Sequence, residues 1–274
     1  MARQYDGRVP VSGYIGARSS GEMAASGDHI SIGTVSGGQN QIGGRGSVFN
    51  QGIEPGAARA PGTAERLDRE TAGSPVNTLY AFGDIVSYSR LNARLQEESQ
   101  DRLVRVLNSS LAEAGVRPET VTAQDQGDAR LLRFPVDTDV AKVLAVMPRY
   151  LNGDLLARNR DMAPHARLRV RLSFTMGAAT PGKTGLAGEA PIAVVRLANS
   201  ARFRSFMNAA PQSNCGVITD DYLYRGYVRQ DFRPDMNAEE YIRVRVSDPE
   251  KGFEAEAWIR LFGCSTQQVA LLTS

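Results

Sequence analysis

Tyr80-Ala81-Phe82-Gly83-Asp84-Ile85-Val86-Ser87-Tyr88-Ser89 is the stretch around which the rest of the chain can be laid out. Residues 79–86 are dominated by apolar side chains, which reads as a strand central in a sheet. That strand runs into a carboxylate and then turns toward a helix. Downstream, Gln126-Gly127-Asp128-Ala129-Arg130-Leu131-Leu132-Arg133-Phe134 places a second carboxylate at a Gly-Asp turn between two strand-like runs. Two aspartates at the ends of neighbouring strands offer hard oxygen ligands to a divalent cation, with room left for water and phosphate oxygens. Asp84 and Asp128 are therefore candidate metal ligands. The plainer readings are a strand-end acid capping the next helix for Asp84 and a turn aspartate after glycine for Asp128.

Working outward, Ser89 is placed to cap a helix whose core stripe is Leu91, Leu95, Leu103, Val106, Leu107 and Leu111, with Gly115 where it stops. Residues 121–126 and 130–134 form a hairpin around Gly127-Asp128. Residues 137–158 give a second helix, carrying Val140, Val143, Leu144, Met147 and a kink at Pro148. From 165 to 179, Leu168, Val170, Leu172 and Phe174 alternate with Arg167, Arg169, Arg171 and Ser173, the pattern of a strand with one wet face. The arginines are then a solvated face or a phosphate-steering one.

Residues 178–188 read as a loop. Its Lys183 does not complete the GxxxxGK[ST] spacing of a phosphate loop. Residues 191–209 read as a third helix, with Ile192, Val195, Leu197, Phe203 and Phe206 as core candidates, 215–219 as a strand and 220–226 as a short helix or turn. Residues 241–246 and 254–261 are strands joined by Asp248-Pro249-Glu250-Lys251-Gly252. Trp258 is expected in the core or at a contact between copies. The order predicts an α/β domain over residues 76–274: an α+β sandwich with a ferredoxin-like βαββαβ core and an extra C-terminal β-hairpin.

Residues 1–75 differ. The stretch 13–62 is crowded with Gly, Ser, Ala and Gln, which cannot offset their ordering entropy by burial. His29-Ile30-Ser31-Ile32-Gly33-Thr34-Val35 does alternate apolar and polar residues. The segment is either a flexible tail or an arm of short strands that adds to a protein partner or to a second copy. A net charge of +2 over 274 residues offers no basic field, so no nucleic-acid partner is expected. Cys215 and Cys264 lack metal-ligand spacing and read as buried thiols in a reducing compartment, the alternative being an oxidised pair. His29 and His165 have no partners at ligand spacing. No apolar run approaches the roughly 20 residues of a membrane span, and no signal-peptide core is present. A cytoplasmic protein is expected.

The segment from Phe82 to Ser89 resembles the first metal motif of class III nucleotidyl (adenylate/guanylate) cyclases, of a divergent bacterial type. Gly127-Asp128, leading into the run to Phe134, resembles their second, 44 positions after Asp84. Arg169-Val170-Arg171-Leu172-Ser173-Phe174-Thr175-Met176-Gly177 is similar to the later strand-and-glycine segment. The run from Gly188 to Leu197 is similar to the helix that carries the family's transition-state residues.

The resemblance implies two Mg2+ or Mn2+ ions on Asp84 and Asp128, bridging a nucleoside triphosphate. It implies a phosphate cradle from Ile85, Val86, Ser87 and Tyr88, at the turn into the helix. It also implies a homodimer or larger self-assembly, since the family's site lies between subunits.

Departures matter equally. Arg196 fills the position of the family's catalytic arginine, but the asparagine four residues earlier is Ile192. Gln124 stands where adenylate-type enzymes read the base with lysine, and Thr184 and Gly185 stand where its acidic partner would be. Losing one transition-state donor costs about 10²–10³ in rate. The expected function is a triphosphate- and metal-binding module of bacterial signalling or defence with weak or no turnover. Its rivals are an active cyclase releasing pyrophosphate and a self-assembling structural protein with a relic fold.

Overall fold

Alternating apolar residues along Val76–Ile85 (β1) send odd-numbered side chains to one side of a sheet and even-numbered ones to the other. Leu79, Ala81 and Ile85 join the main core cluster, while Tyr80 and Phe82 join a separate one. The computed structural model describes residues 75–182 and 185–271, without the side chains of 181 and 182. The Gly/Ser-rich arm with His29, and the loop positions Lys183 and Thr184, lie outside the described residues.

After β1 come helix α1 (Ala93–Glu113), strands β2 (Thr122–Asp125) and β3 (Ala129–Arg133), helix α2 (Val140–Asn159) and strand β4 (Val170–Gly182). These pair in the order β2-β3-β1-β4, each neighbour antiparallel, which is the split βαββαβ arrangement expected from the sequence. The chain continues through β5 (Gly185–Ala187), α3 (Glu189–Asn199), α4 (Ala201–Ala209), β6 (Cys215–Asp220), α5 (Asp221–Leu223), β7 (Ile242–Asp248), β8 (Phe253–Leu261) and α6 (Thr266–Leu271). Strand β6 adds parallel to β4, and the C-terminal hairpin extends the sheet to eight strands, with β5 paired only to β4.

Helices α1 and α2 cover one face through Leu103, Leu107, Val143 and Leu151. On the other face Val194, Leu197, Phe203 and Phe206 of α3 and α4 meet Phe82, Ile218 and Ile259. Two glycines let this second layer approach. A Cβ on Gly177 would sit 2.8 Å from Ala190 Cβ, and one on Gly216 would collide with Met207 Sδ and stand 2.9 Å from Leu261 Cδ2.

Four expectations are corrected. Helix α1 is capped by Asn92, whose Oδ1 accepts from Leu95 N–H at 3.0 Å, rather than by Ser89. Ser87 adopts a left-handed conformation (φ 61°) and residues 88–90 form a tight turn first. The stretch read as a third helix is two, because Ser200 turns out to φ −59°, ψ 139° and starts α4 as its cap. The supposed loop 178–188 is largely the hairpin of β4 and β5.

The wet face of β4 is buried. Arg171, Ser173 and Thr175 are 8%, 0% and 3% exposed, since α3 lies across them and Ser173 Oγ donates to Val194 O at 2.7 Å.

Trp258 is stacked on Tyr224 with ring centroids 3.5 Å apart, and its Nε1 donates to Asp221 Oδ1 at 3.0 Å. Both cysteines are free, Cys215 buried and Cys264 half-buried. No helix among the described residues is long and apolar enough to cross a membrane.

Filling the close approach at Gly216 should overpack this layer. Gly216→Val is expected to lower the unfolding free energy by about 1–3 kcal/mol, read from urea denaturation. An unchanged midpoint would mean that α4 does not sit on β6 as described.

Candidate functional site

Asp84 is the penultimate residue of β1 and faces the α3–α4 side. Its register partners are Ala129 on β3 and Arg171 on β4. Ile85 N–H donates to Asp128 O at 3.1 Å, so the second aspartate stands at the start of the strand adjoining the first. The structure thus brings Asp84 and Asp128 to one end of neighbouring strands. Asp128 is half-buried and Asp84 only 3% exposed.

The nearest cation to Asp84 is internal. Arg171 donates Nε to Asp84 Oδ2 at 3.0 Å and Nη2 to the same oxygen, and it is itself buried. Sequence periodicity assigns this arginine to a solvated face; only the register of β1 against β4 reveals its partner.

Burial still dominates the Asp84 carboxyl and holds it above the usual aspartate range. The charge and hydrogen bond of Arg171 pull the other way, the Asp128 carboxylate pushes it further up, and Arg204 lowers it slightly. A carboxyl in that condition gains from additional positive charge, and Asp128 supplies further oxygens. Asp84 and Asp128 are thus the residues that would hold a hard divalent cation, with water or ligand oxygens completing its shell. Among the described residues no group of three His, Cys, Asp or Glu side chains is placed to hold a metal by itself.

The remaining candidates are dispersed around this point. Ile85 N–H and Val86 N–H are engaged by Asp128 O and Arg169 O, at 3.1 and 2.9 Å, so neither is available to cradle a phosphate. Ser87 is exposed at the left-handed turn. Tyr88 is half-buried, its hydroxyl accepting from Gln100 Nε2 at 2.7 Å. Ile85, Val86 and Ser87 do line a cavity of about 430 Å³.

Gln124 lies across from the β4–β5 hairpin, where a Cβ on Gly185 would stand 2.8 Å from its Nε2. Arg196, in the last turn of α3, sits over the Phe253 ring at 5.3 Å, and Ile192 on the same helix is 50% exposed.

Asp220 was not a candidate from sequence, where a strand-end acid before a short helix has no special signal. It accepts from the Thr175 hydroxyl and from Leu223 N–H at 2.8 Å, opposite β4 on the same face as Asp84. Burial pushes its carboxyl up, those hydrogen bonds and one from Met176 N–H oppose this, and the neighbouring Asp221 adds to the rise.

No family model matches the chain, and no curated protein sequence matches it. Among solved structures it is similar to a bacterial light-regulated adenylyl cyclase, with 12% identity over 73% of this chain and 98% of that one, at a TM-score of 0.49. It is also similar to an adenylate/guanylate cyclase/hydrolase from Silicibacter pomeroyi, with 18% identity over 68% and 97% at a TM-score of 0.48. A third is the guanylyl cyclase Cya2, with 12% identity over 71% and 99% at a TM-score of 0.45.

Two outcomes follow from the buried charges. Asp84→Asn leaves the Arg171 guanidinium desolvated without a counter-charge and should cost about 3–5 kcal/mol in urea denaturation. A loss below about 1 kcal/mol would mean the pair is hydrated. For Asp220 the folded carboxyl titrates above the unfolded one. Its stabilising contribution is therefore complete below the ordinary aspartate range and is lost as pH rises through the raised value. Relative to the native chain, Asp220→Asn should thus gain stability as pH rises from the ordinary aspartate range, about 4, through the raised value. A difference that stays flat as pH rises from the ordinary aspartate range would contradict the burial of this acid.

Proposed function

We propose that this chain is a divergent nucleotidyl cyclase-like module of bacterial signalling or defence. It binds a nucleoside triphosphate together with Mg2+ or Mn2+, and turns it over slowly or not at all. The observation that carries the reading is the placement of Asp84 and Asp128 at the same end of adjoining strands, with the buried Asp84 carboxyl held above the usual aspartate range despite Arg171.

In this reading Asp84 and Asp128 hold the cation. The chemistry supplied by Mg2+ or Mn2+ held there is neutralisation of triphosphate oxygens and activation of a hydroxyl. Ser87 and Tyr88 lie at the turn where phosphate oxygens would approach. The amides of Ile85 and Val86 hold the turn in place rather than the ligand. Gln124 can hydrogen-bond a base edge without imposing the choice that a lysine would.

Weak turnover is supported by two side chains. Ile192 has no donor for a developing charge, and the Arg196 guanidinium is engaged by the Phe253 ring. Both sit on α3, and Ile192 is exposed there, so a second copy is the proposed partner across that face. The compartment proposed is the cytoplasm, where nucleoside triphosphates and Mg2+ are held. The Gly/Ser-rich arm is proposed as a contact for a protein partner.

Thermal unfolding with each of the four ribonucleoside triphosphates, with and without Mn2+, tests this. At least one should raise the midpoint only when Mn2+ is present, since binding at 100 Kd adds about 2.7 kcal/mol. Asp128→Ala, which leaves the Asp84–Arg171 pair intact, should abolish the rise. No rise with any triphosphate overturns the proposal. Rapid Mn2+-dependent pyrophosphate release would replace it with an active cyclase.

A further inference from the structure

Helix α2 turns one stripe into the main core, through Val143, Leu144, Met147, Leu151 and Leu155. Its outer stripe is uncharged as well. Val146 is half-buried, Tyr150 is 39% exposed, and Gly153 and Ala157 are exposed. Their spacing of four, three and four residues is that of the a and d positions of a coiled-coil seam. Leu156, 57% exposed, widens the strip on one side. A Cβ built on Gly153 would meet nothing within 4 Å, so another helix can approach closely there. A cavity of about 470 Å³ opens on the same stripe, lined by Val146, Arg149, Tyr150, Gly153 and Asp154. Glu113 of α1 and Asp235, which is paired with Arg233, complete its lining.

Charge decides what fits on this face. Arg149 precedes Tyr150 and Asp154 follows Gly153, so the two flank the seam on opposite sides, at the g and e positions of the same heptad frame. Neither is fully matched within one chain. Glu240 pairs with Arg260 at 2.6 Å and meets Arg149 only at 3.5 Å, and Arg149 Nε has no hydrogen-bond partner. Asp154 Oδ1 accepts from Arg158 at 2.7 Å, but its Oδ2 has no partner. Two parallel copies of α2 bring the Arg149 side of each against the Asp154 side of the other, giving two ion pairs related by a twofold axis. An antiparallel pair sets the Arg149 side against its own copy, like charge against like.

We propose that the outer face of α2 is a self-association surface, on which a second copy of this chain lays its own α2 in parallel. Tyr150 of each copy seats beside the open Gly153 of the other, and Arg149 of each pairs with Asp154 of the other. This face lies across the sheet from α3, so the inference rests neither on the triphosphate reading nor on the contact proposed there. About three helical turns bury less than the roughly 1,600 Å² of a standard interface, so the association is weak and is measured at high protein concentration.

The test is sedimentation equilibrium of the full chain carrying Ile192→Glu, which removes the contact proposed across α3. On that background Arg149→Glu and Asp154→Arg should each weaken self-association about tenfold or more, since each turns two attractive pairs into two repulsive ones. An equimolar mixture of the two variants should regain the dimer, because only the mixed dimer sets opposite charges against each other at both places. Arg245→Glu, an equal change of charge on the β7–β8 hairpin, should leave the association unaltered. Thermal midpoints report that each variant is folded.

The proposal is overturned if the Ile192→Glu chain is monomeric at every concentration, or if the single variants associate as strongly as that chain. A mixture that stays monomeric also overturns it, the result expected if residues 64–70 of the same chain or a different protein cover this face. None of these outcomes touches the triphosphate reading, which is measured by nucleotide and Mn2+.

Discussion

The pairing of Asp84 with Arg171 sets the terms for one whole side of this molecule. Both groups are withdrawn from water on neighbouring central strands, and neither could be buried alone without a penalty of several kcal/mol. Their attraction offsets that penalty only partly, which is why the carboxyl remains above its usual range. The register of β1 against β4 is constrained accordingly. A slip of one residue would turn Asp84 toward the apolar layer of α1 and α2 and strand both charges.

The two faces of the sheet are built on different chemistry. Under α1 and α2 the contacts are almost wholly aliphatic and aromatic, as suits a load of dispersion and hydrophobic burial. Under α3 and α4 the strands present Asp84, Arg171, Ser173, Thr175 and Asp220 among smaller apolar patches. Polar groups of this kind are tolerated because they satisfy one another: Ser173 with Val194 O, Thr175 with Asp220, Asp220 with the start of α5. Such a face stabilises less than an apolar one and is retained where chemistry or recognition uses it.

Charge is distributed as unevenly as polarity. The β7–β8 hairpin displays Arg243–Glu256 and Arg245–Glu254 as cross-strand pairs, which ornament an edge and blunt it against pairing with other strands. Beyond Asp84, Arg169 is held instead by the carbonyls of Met207, Ala210 and Ser213. A net charge of +2 conceals this contrast.

Much of the architecture was readable from the order of residues. The period of two in β1, the Gly-Asp turn before β3 and the helical spacing of α1 are local patterns, and local patterns dictate element type and sequence (βαββαβ, then a hairpin). They also marked Asp84 and Asp128 as strand-end acids. What they could not supply was any fact about what lies opposite. An arginine alternating with leucines looks solvated until the layer above it is known, and Arg171 is buried because α3 and α4, far along the chain, lie across β4. The break at Ser200 and the cap at Asn92 escaped for a smaller reason, since several serines and asparagines near each boundary have equal local merit. The setting of Arg169 was beyond sequence altogether. Its guanidinium is held by the carbonyls of Met207, Ala210 and Ser213, which no linear spacing relates to it, and only the three-dimensional chain brings them together.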